Sequence, residues 1–163
     1  MKKPKKPKKR PNLRHSLSRE HLAASCATDA REYLKAAELL NDSGHRSPLW
    51  PRYFLLSQAL ELILKAYIAL HGGDEGELRK IGHRLLLAYA CAHRRGLIFP
   101  DPRILKTIHS LHLFHKGLFF RYRQPIGFVQ LPEPRDLSEI IATLVSQIDS
   151  TIRQHLRSRR REP

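Results

Sequence analysis

Apolar residues recur along most of the chain at the spacing of helix faces. Over residues 18–40 they fall every three or four positions, which predicts a first helix with one buried stripe. The stripe consists of Leu22, Cys26, Ala30, Tyr33, Ala37 and Leu40. The turn residues of Asn41–Gly44 end this helix. From Trp50 to Leu70 apolar side chains occur almost all round, which predicts a central helix that is covered on several sides.

Two more helices are predicted in the middle of the chain. The third runs from about His83 to Arg95, and Gly96 supplies its left-handed cap. The segment before it, His71–Gly76, is predicted to be a turn. The fourth helix opens with Asp101 as the N-cap and a proline at the first helical position, and it ends near Gly117.

The last helix starts at Asp136, with Glu139 three residues later in an arrangement like a capping box. It has the most regular apolar stripe of the chain: Leu137, Ile140, Ile141, Leu144, Ile148 and Ile152. The chain shows neither an internal repeat nor a convincing alternation typical of strands. The sequence therefore predicts an all-α fold of about five helices.

Charge is concentrated at the two ends of the 163-residue chain. The net charge is +15, but residues 1–14 contribute +8 and residues 153–163 contribute +4, which leaves +3 for the body. Lysine pairs alternate with proline in residues 1–17, which predicts a disordered basic tail, and residues 156–163 are predicted to be a second basic tail. A mobile polycation binds RNA or DNA by counterion release. The candidate nucleic-acid-binding residues are Lys2, Lys3, Lys5, Lys6, Lys8, Lys9 and Arg10. A solubilising tail or a nuclear address is the alternative.

Composition makes several protein classes unlikely. The N-terminus has no apolar stretch of a secretory signal, and the most apolar window carries charged residues that a lipid-facing span would avoid. Cys26 and Cys91 lack the spacing of a disulfide scaffold or a redox motif, and both are predicted to fill the core. We therefore expect a soluble cytoplasmic protein that neither binds nor spans a membrane.

Short motifs along the chain resemble those of HEPN domains. The central helix contains Ala59-Leu-Glu61-Leu-Ile-Leu-Lys65, the third helix is preceded by Gly82-His83-Arg84-Leu85, and Arg121-Tyr122 follows the fourth helix. The resemblance covers roughly residues 18–155. It implies a single up-and-down bundle of about five helices over these residues, commonly a homodimer. Such proteins bind or cut RNA or partner with a nucleotidyltransferase-like or antitoxin-like protein.

The resemblance marks Glu61, Lys65, Gly82, His83, Arg121 and Tyr122 as family-motif residues. From the residues themselves, Glu61 and Lys65 form an i,i+4 pair in the favourable order. A buried or half-buried ion pair that fixes packing is the expected role, and a functional polar pair or a fully solvated pair is the alternative. His83 either faces a binding cleft or forms a hydrogen bond inside the bundle.

Ribonucleases of the HEPN family carry an R-x(4–6)-H motif, and Arg103 and His109 match it with five intervening residues. An arginine can hold the scissile phosphate while a histidine transfers a proton. The match departs from the family pattern, because residue 104 is an isoleucine where a polar group is preferred. Exposed helix residues without a catalytic role are the alternative for Arg103 and His109.

Two other groups of residues invite a binding role. His109, His112 and His115 lie on one helix, but their offsets spread them over too wide an arc to chelate one ion, so no metal site and no cofactor is predicted. Aromatic residues next to Arg121 and Arg123 could stack RNA bases, or they could pin a connection to the bundle.

The sequence thus predicts a HEPN-like domain that acts as an RNA-associated binding and dimerisation module. One alternative is a metal-independent endoribonuclease, a toxin or defence effector, that uses Arg103 and His109. The other alternative is a pure protein-interaction module.

Overall fold

A computed structural model describes residues 18–42, 49–99, 101–117 and 131–159. Within these residues the chain is all-helical. The six helices are α1 (Arg19–Asp42), α2 (Leu49–Leu70), α3 (Glu75–Ile81), α4 (Leu85–Arg94), α5 (Ile104–Lys116) and α6 (Pro134–Arg159). The all-α prediction is confirmed, with one helix more than the predicted five. The N-terminal basic tail lies outside the described residues.

Helix α2 is the centre of the bundle, as its all-round apolar character predicts. It contacts all five other helices, and α1 and α6 also pack against each other, as do α4 and α5. Fourteen of its 22 residues are buried. The polar strip of Ser57, Glu61 and Lys65 turns inward with the rest, since Ser57 and Glu61 are also buried.

Helix α2 is also the only described helix that is long and apolar enough to cross a membrane. In its most apolar stretch, 72% of the residues are buried inside the fold. This burial is compatible with the core helix of a soluble protein. The cytoplasmic location stays a prediction.

Helix α1 packs on α2 through small residues. Its buried positions follow one another at intervals of four and three residues: Ala23, Ala27, Ala30, Leu34 and Ala37. Three of the predicted positions are therefore wrong by one residue. Leu22, Cys26 and Tyr33 lie at the edge of the contact and are only partly buried, while the residue after each of them is buried. Alanine has the smallest side chain that a helix face can present, so this seam lets two helix backbones approach closely.

Helix α6 follows its predicted stripe, and all six apolar residues of that stripe are buried. It begins at Pro134, however, two residues before the predicted start. A proline fits the first turn of a helix, where its missing N–H donor is not needed. Asp136 therefore lies inside the first turn and is not the N-cap. At its other end α6 continues through Arg159, beyond the predicted end of the bundle.

The extra helix, α3, begins in the last two residues of the segment predicted to be a turn and continues to Ile81. The Asp74 side chain accepts a hydrogen bond from the Glu77 backbone N–H at 2.7 Å and caps this helix. Acidic residues in the first turn and Arg79 and Lys80 in the last turn complement the helix dipole. Gly82 ends α3 with a φ of 56°, so α4 starts at Leu85 and not at His83.

The other two helix ends are close to their predicted places. Gly96 follows α4 with a φ of 89°, the left-handed conformation that glycine adopts without strain. The predicted N-cap, Asp101, is wrong, because α5 begins at Ile104 and its N-cap is Arg103. Asp101 and the proline after it lie in a preceding turn, which the Ile104 N–H closes on the Asp101 carbonyl at 3.1 Å. The Asp101 carboxylate accepts a hydrogen bond from the Arg103 backbone N–H at 2.8 Å.

The central position of α2 makes a quantitative prediction about stability. Leu60 is fully buried, whereas Leu39 on α1 is 63% exposed. We expect Leu60→Ala to lower the free energy of unfolding by about 2–5 kcal/mol, because it removes core contacts and leaves a cavity. Leu39→Ala should change it by less than about 0.5 kcal/mol. Urea denaturation of both variants measures the two effects, and equal effects would contradict the placement of α2.

Candidate functional site

A buried carboxylate on α2 is the centre of the candidate site. Glu61 is 3% exposed and has polar partners on both of its oxygens. Its Oε1 accepts a hydrogen bond from Lys65 Nζ at 2.5 Å. Its Oε2 lies 2.9 Å from His83 Nδ1 and 2.5 Å from His115 Nε2. One carboxylate thus holds an ammonium group and two imidazoles.

Each partner of Glu61 comes from a different part of the fold. Lys65 lies one helical turn further along α2. His83 lies in the short connection between α3 and α4, directly after Gly82, whose positive φ turns the chain at that point. His115 lies in the last turn of α5 and is 3% exposed. The site therefore forms only when α2, α5 and the α3–α4 connection are packed together.

The two imidazoles meet edge to face. Their ring centroids are 5.6 Å apart and their planes are inclined by 89°. They differ in access to solvent, because 42% of the His83 side chain is exposed and only 2% of the His115 side chain. The cluster is therefore open to water at His83 and closed at His115.

The surroundings of Glu61 keep it ionised. Burial by itself raises the pKa of its carboxyl group, but hydrogen bonds from His115, Lys65 and His83, together with the charge of Lys65, outweigh burial. The pKa consequently falls from 4.5 to about 2. At neutral pH the group is a carboxylate whose charge is balanced locally by Lys65.

The Cys26 thiol stands beside this cluster without belonging to it. Burial raises the pKa of Cys26 to about 11, and the negative charges of Asp29 and Glu61 act in the same direction, against the charge of Lys65. The thiol is therefore protonated at neutral pH and is a poor nucleophile. Cys26 and Cys91 are both free, and both pack in or against the core, as predicted.

The structure brings together four of the family-motif residues. Glu61, Lys65 and His83 are in direct contact, and Gly82 positions His83. The buried ion pair predicted for Glu61 and Lys65 is confirmed, with 4% and 13% of their side chains exposed. Arg121 and Tyr122 lie outside the described residues.

Sequence reasoning missed His115, which it considered only as one of three histidines on a helix. The side chains of that trio point in different directions, since His109 is exposed, His112 is partly buried and His115 is buried. A usable signal was present, because His115 continues the buried stripe of α5 at a spacing of four and three residues. The preceding members of the stripe are Ile104, Ile108 and Leu111.

The pair matched to the ribonuclease motif is arranged differently. Arg103 and His109 are both exposed, and the Arg103 guanidinium binds the Asp101 carboxylate with N–O distances of 2.7–3.1 Å. Six positions along a helix place two side chains roughly 120° apart around its axis. No contact joins Arg103 and His109 in the described part of the chain.

Arg103 instead lines an open depression between α5 and the start of α6. The depression has a volume of about 490 Å³. Its polar wall consists of Arg103, Lys106, Thr107 and Ser110, and Asp136 faces it from α6. Two cations one helical turn apart, next to two hydroxyl groups, form a surface to which a phosphate group can bind.

Comparison with known proteins adds no relative to this picture. No protein-family model, no curated protein and no solved structure matches the chain. Evidence about its function therefore comes from the residues of the chain itself.

The buried carboxylate makes a prediction about stability and pH. Glu61→Gln removes the charge that Lys65 and the imidazoles surround, so we expect the free energy of unfolding at pH 7 to fall by about 3–5 kcal/mol. Because the pKa of Glu61 is about 2 in the folded chain and 4.5 without these contacts, its stabilisation is complete above pH 4.5 and is lost as the pH falls toward 2. Urea denaturation at several pH values measures the difference between wild type and variant.

The pH range from about 4.5 to 3 isolates the contribution of Glu61 to stability. Histidines of the unfolded chain are already protonated throughout this range, so their titration does not add to the change. We expect the difference between wild type and Glu61→Gln to narrow there. Glu32→Gln, at an exposed position of α1, is the control and should leave stability nearly unchanged. A difference that is constant across this window would show that Glu61 is not held ionised by its neighbours.

Proposed function

We propose that this chain is a HEPN-like helical domain that binds single-stranded RNA through phosphate contacts, and that it carries no strong catalytic equipment. Three lines of support combine. The described residues form an all-α bundle, the motif residues Glu61, Lys65 and His83 meet in one cluster, and the surface of α5 is cationic.

The surface of α5 is the observation on which RNA binding rests. The helix contains two lysines, three histidines and no acidic residue. Lys106, His109 and Lys116 are exposed. Arg103, just before the helix, adds a guanidinium group at the edge of the depression. Cations that have no acidic residue beside them on the same helix attract a phosphate backbone. At the start of α5, Asp101 and Asp136 offset part of the positive charge.

The basic N-terminal tail has the complementary role in this proposal. Residues 1–14 carry a charge of +8, which supplies affinity without sequence recognition. The folded surface then gives the RNA a fixed place on the bundle, since phosphate contacts from an ordered helix set position and orientation.

Homodimerisation, which the resemblance implies, is part of the same proposal. Leu105 and Leu113 are 41% and 73% exposed, but helical geometry places them on the same face of α5 as Lys106 and Lys116. A dimer contact there would cover the lysines assigned to RNA, so dimerisation is proposed from the resemblance and not from these leucines. Light scattering tests this part alone, because the mass of a single chain at working concentration would contradict dimerisation and leave RNA binding untouched.

Salt dependence tests RNA binding. We expect the affinity for a labelled single-stranded RNA to fall steeply as salt rises, and Lys106→Ala to reduce the slope of log affinity against log salt by about 1, the effect of one lost phosphate contact. Deletion of residues 1–14 should weaken binding several-fold. Lys35→Ala, which removes one exposed lysine of α1, is the matched control and should keep the wild-type slope.

The outcomes separate the parts of the proposal. Equal slopes for wild type and Lys106→Ala would exclude the surface of α5, and unchanged affinity after the deletion would exclude the tail. A wild type that shows no binding at low salt would favour the pure protein-interaction module.

The endoribonuclease alternative gives a different result in the same samples. With EDTA present, a metal-independent nuclease that uses Arg103 and His109 would shorten the labelled RNA. His109→Ala would then abolish cleavage with the fold intact. We expect a mobility shift without cleavage, since Arg103 and His109 make no contact with each other. Cleavage that is lost in His109→Ala would overturn this expectation.

A further inference from the structure

The cluster around Glu61 places three metal-binding atoms close together. Glu61 Oε2, His83 Nδ1 and His115 Nε2 come from three separate parts of the chain and lie within 4.8 Å of one another. Two imidazole nitrogens and one carboxylate oxygen form a common donor set of zinc sites. We propose that Glu61, His83 and His115 bind a divalent transition-metal ion of the zinc type. This inference is independent of RNA binding.

The distances fit an ion after a small adjustment. Glu61 Oε2 lies 2.9 Å from His83 Nδ1 and 2.5 Å from His115 Nε2. Zinc bonds of about 2.0–2.2 Å in a tetrahedral arrangement hold neighbouring donor atoms about 3.3 Å apart. The carboxylate oxygen must therefore move away from each imidazole nitrogen by less than about 1 Å. The two nitrogens, which lie within 4.8 Å of each other, must come closer by up to about 1.5 Å. His83 can move that far, because it lies in a connection and 42% of its side chain is exposed.

The protons of the two imidazoles can be accommodated within the cluster when an ion binds. A hydrogen bond between an imidazole nitrogen and the Glu61 carboxylate requires an N–H group on that nitrogen. Coordination needs the lone pair of the same nitrogen, so the proton leaves that atom and the other ring nitrogen carries it. The ion then binds the two ring nitrogens in place of their protons, and it binds Oε2 of the Glu61 carboxylate, which is ionised at neutral pH. No thiol is needed, and Cys26 stays protonated.

Lys65 acts on the carboxylate from the opposite side. Its ammonium group lies on Oε1, 2.5 Å away, and leaves Oε2 to the two imidazoles. A hydrogen bond to the second oxygen of a ligating carboxylate holds that carboxylate in one orientation. The hydrogen-bond partners of metal ligands generally have this role. We therefore assign Lys65 a positioning role and not a ligand role.

The number of donors indicates what kind of site this is. Structural zinc sites are closed by four protein ligands, whereas three protein ligands leave a position for water or another molecule. Glu61 and His115 are almost completely buried, so the open position and the entry path lie on the side of His83. The mixed nitrogen and oxygen donor set favours Zn²⁺, Co²⁺ or Ni²⁺ over the oxygen-seeking Mg²⁺ and Ca²⁺.

Titration of the full chain with Co²⁺ tests the proposal, because four-coordinate Co²⁺ gives intense visible absorption bands. We expect one equivalent to produce these bands and Zn²⁺ to displace it. His83→Ala should weaken binding by at least about tenfold and remove the bands. The exposed position of His83 lets circular dichroism confirm that this variant is folded. The control is His21→Ala, which removes an exposed imidazole of α1 outside the cluster.

Two results would overturn the site. The first is a wild-type chain that gives no four-coordinate Co²⁺ spectrum. The second is a His83→Ala variant that binds Co²⁺ with the affinity and spectrum of the wild type, since the ion would then lie on other histidines. A Zn²⁺-dependent rise in melting temperature that is present in wild type and His21→Ala, and absent in His83→Ala, would support the site by a second measurement.

Discussion

Glu61 holds a negative charge in the middle of α2, where water does not reach it, and three other groups are arranged around that charge. Moving a carboxylate out of water costs several kcal/mol, and a single ion pair seldom offsets this cost. Here Lys65 neutralises the charge, and His83 and His115 satisfy the second oxygen. The α3–α4 connection and the end of α5 must therefore dock on α2 in one register, because any other register leaves Oε2 of the carboxylate without its two imidazole partners.

The sequence predicts the parts of the fold that depend on local pattern. The apolar stripe of α6 and the all-round apolar character of α2 needed only helical periodicity, and both predictions are confirmed. The register of α1 could not be obtained in the same way. Its buried face consists mostly of alanines, and alanine is a weak hydrophobic signal beside Leu22 or Tyr33. The choice between the two faces is made by how closely α2 can approach, which is a property of the pair of helices.

In the candidate site, too, the contacts within one helix could be predicted and the contacts between helices could not. Glu61 and Lys65 are four residues apart on one helix, so their contact could be predicted from spacing alone. The contact between Glu61 and His115 joins residues 54 positions apart and depends on how α5 packs. The short helix α3 was missed because two glycines precede it, although Asp74 and the charges that follow are good helix-start signals. The N-terminal basic tail and the segment with Arg121 and Tyr122 lie outside the described residues, whereas the first four residues of the predicted C-terminal tail, 156–159, belong to α6.

The alanine seam between α1 and α2 restricts which substitutions α1 can accept during evolution. Ala23, Ala27 and Ala30 are 0–1% exposed, so a larger side chain at any of them must push two helices apart. The outward positions of α1 carry no such restriction and can exchange one polar residue for another at little cost. Among relatives of this chain, α1 should therefore vary freely on one side and hardly at all on the other. Such a helix would be recognised by the positions that stay small and not by those that stay hydrophobic.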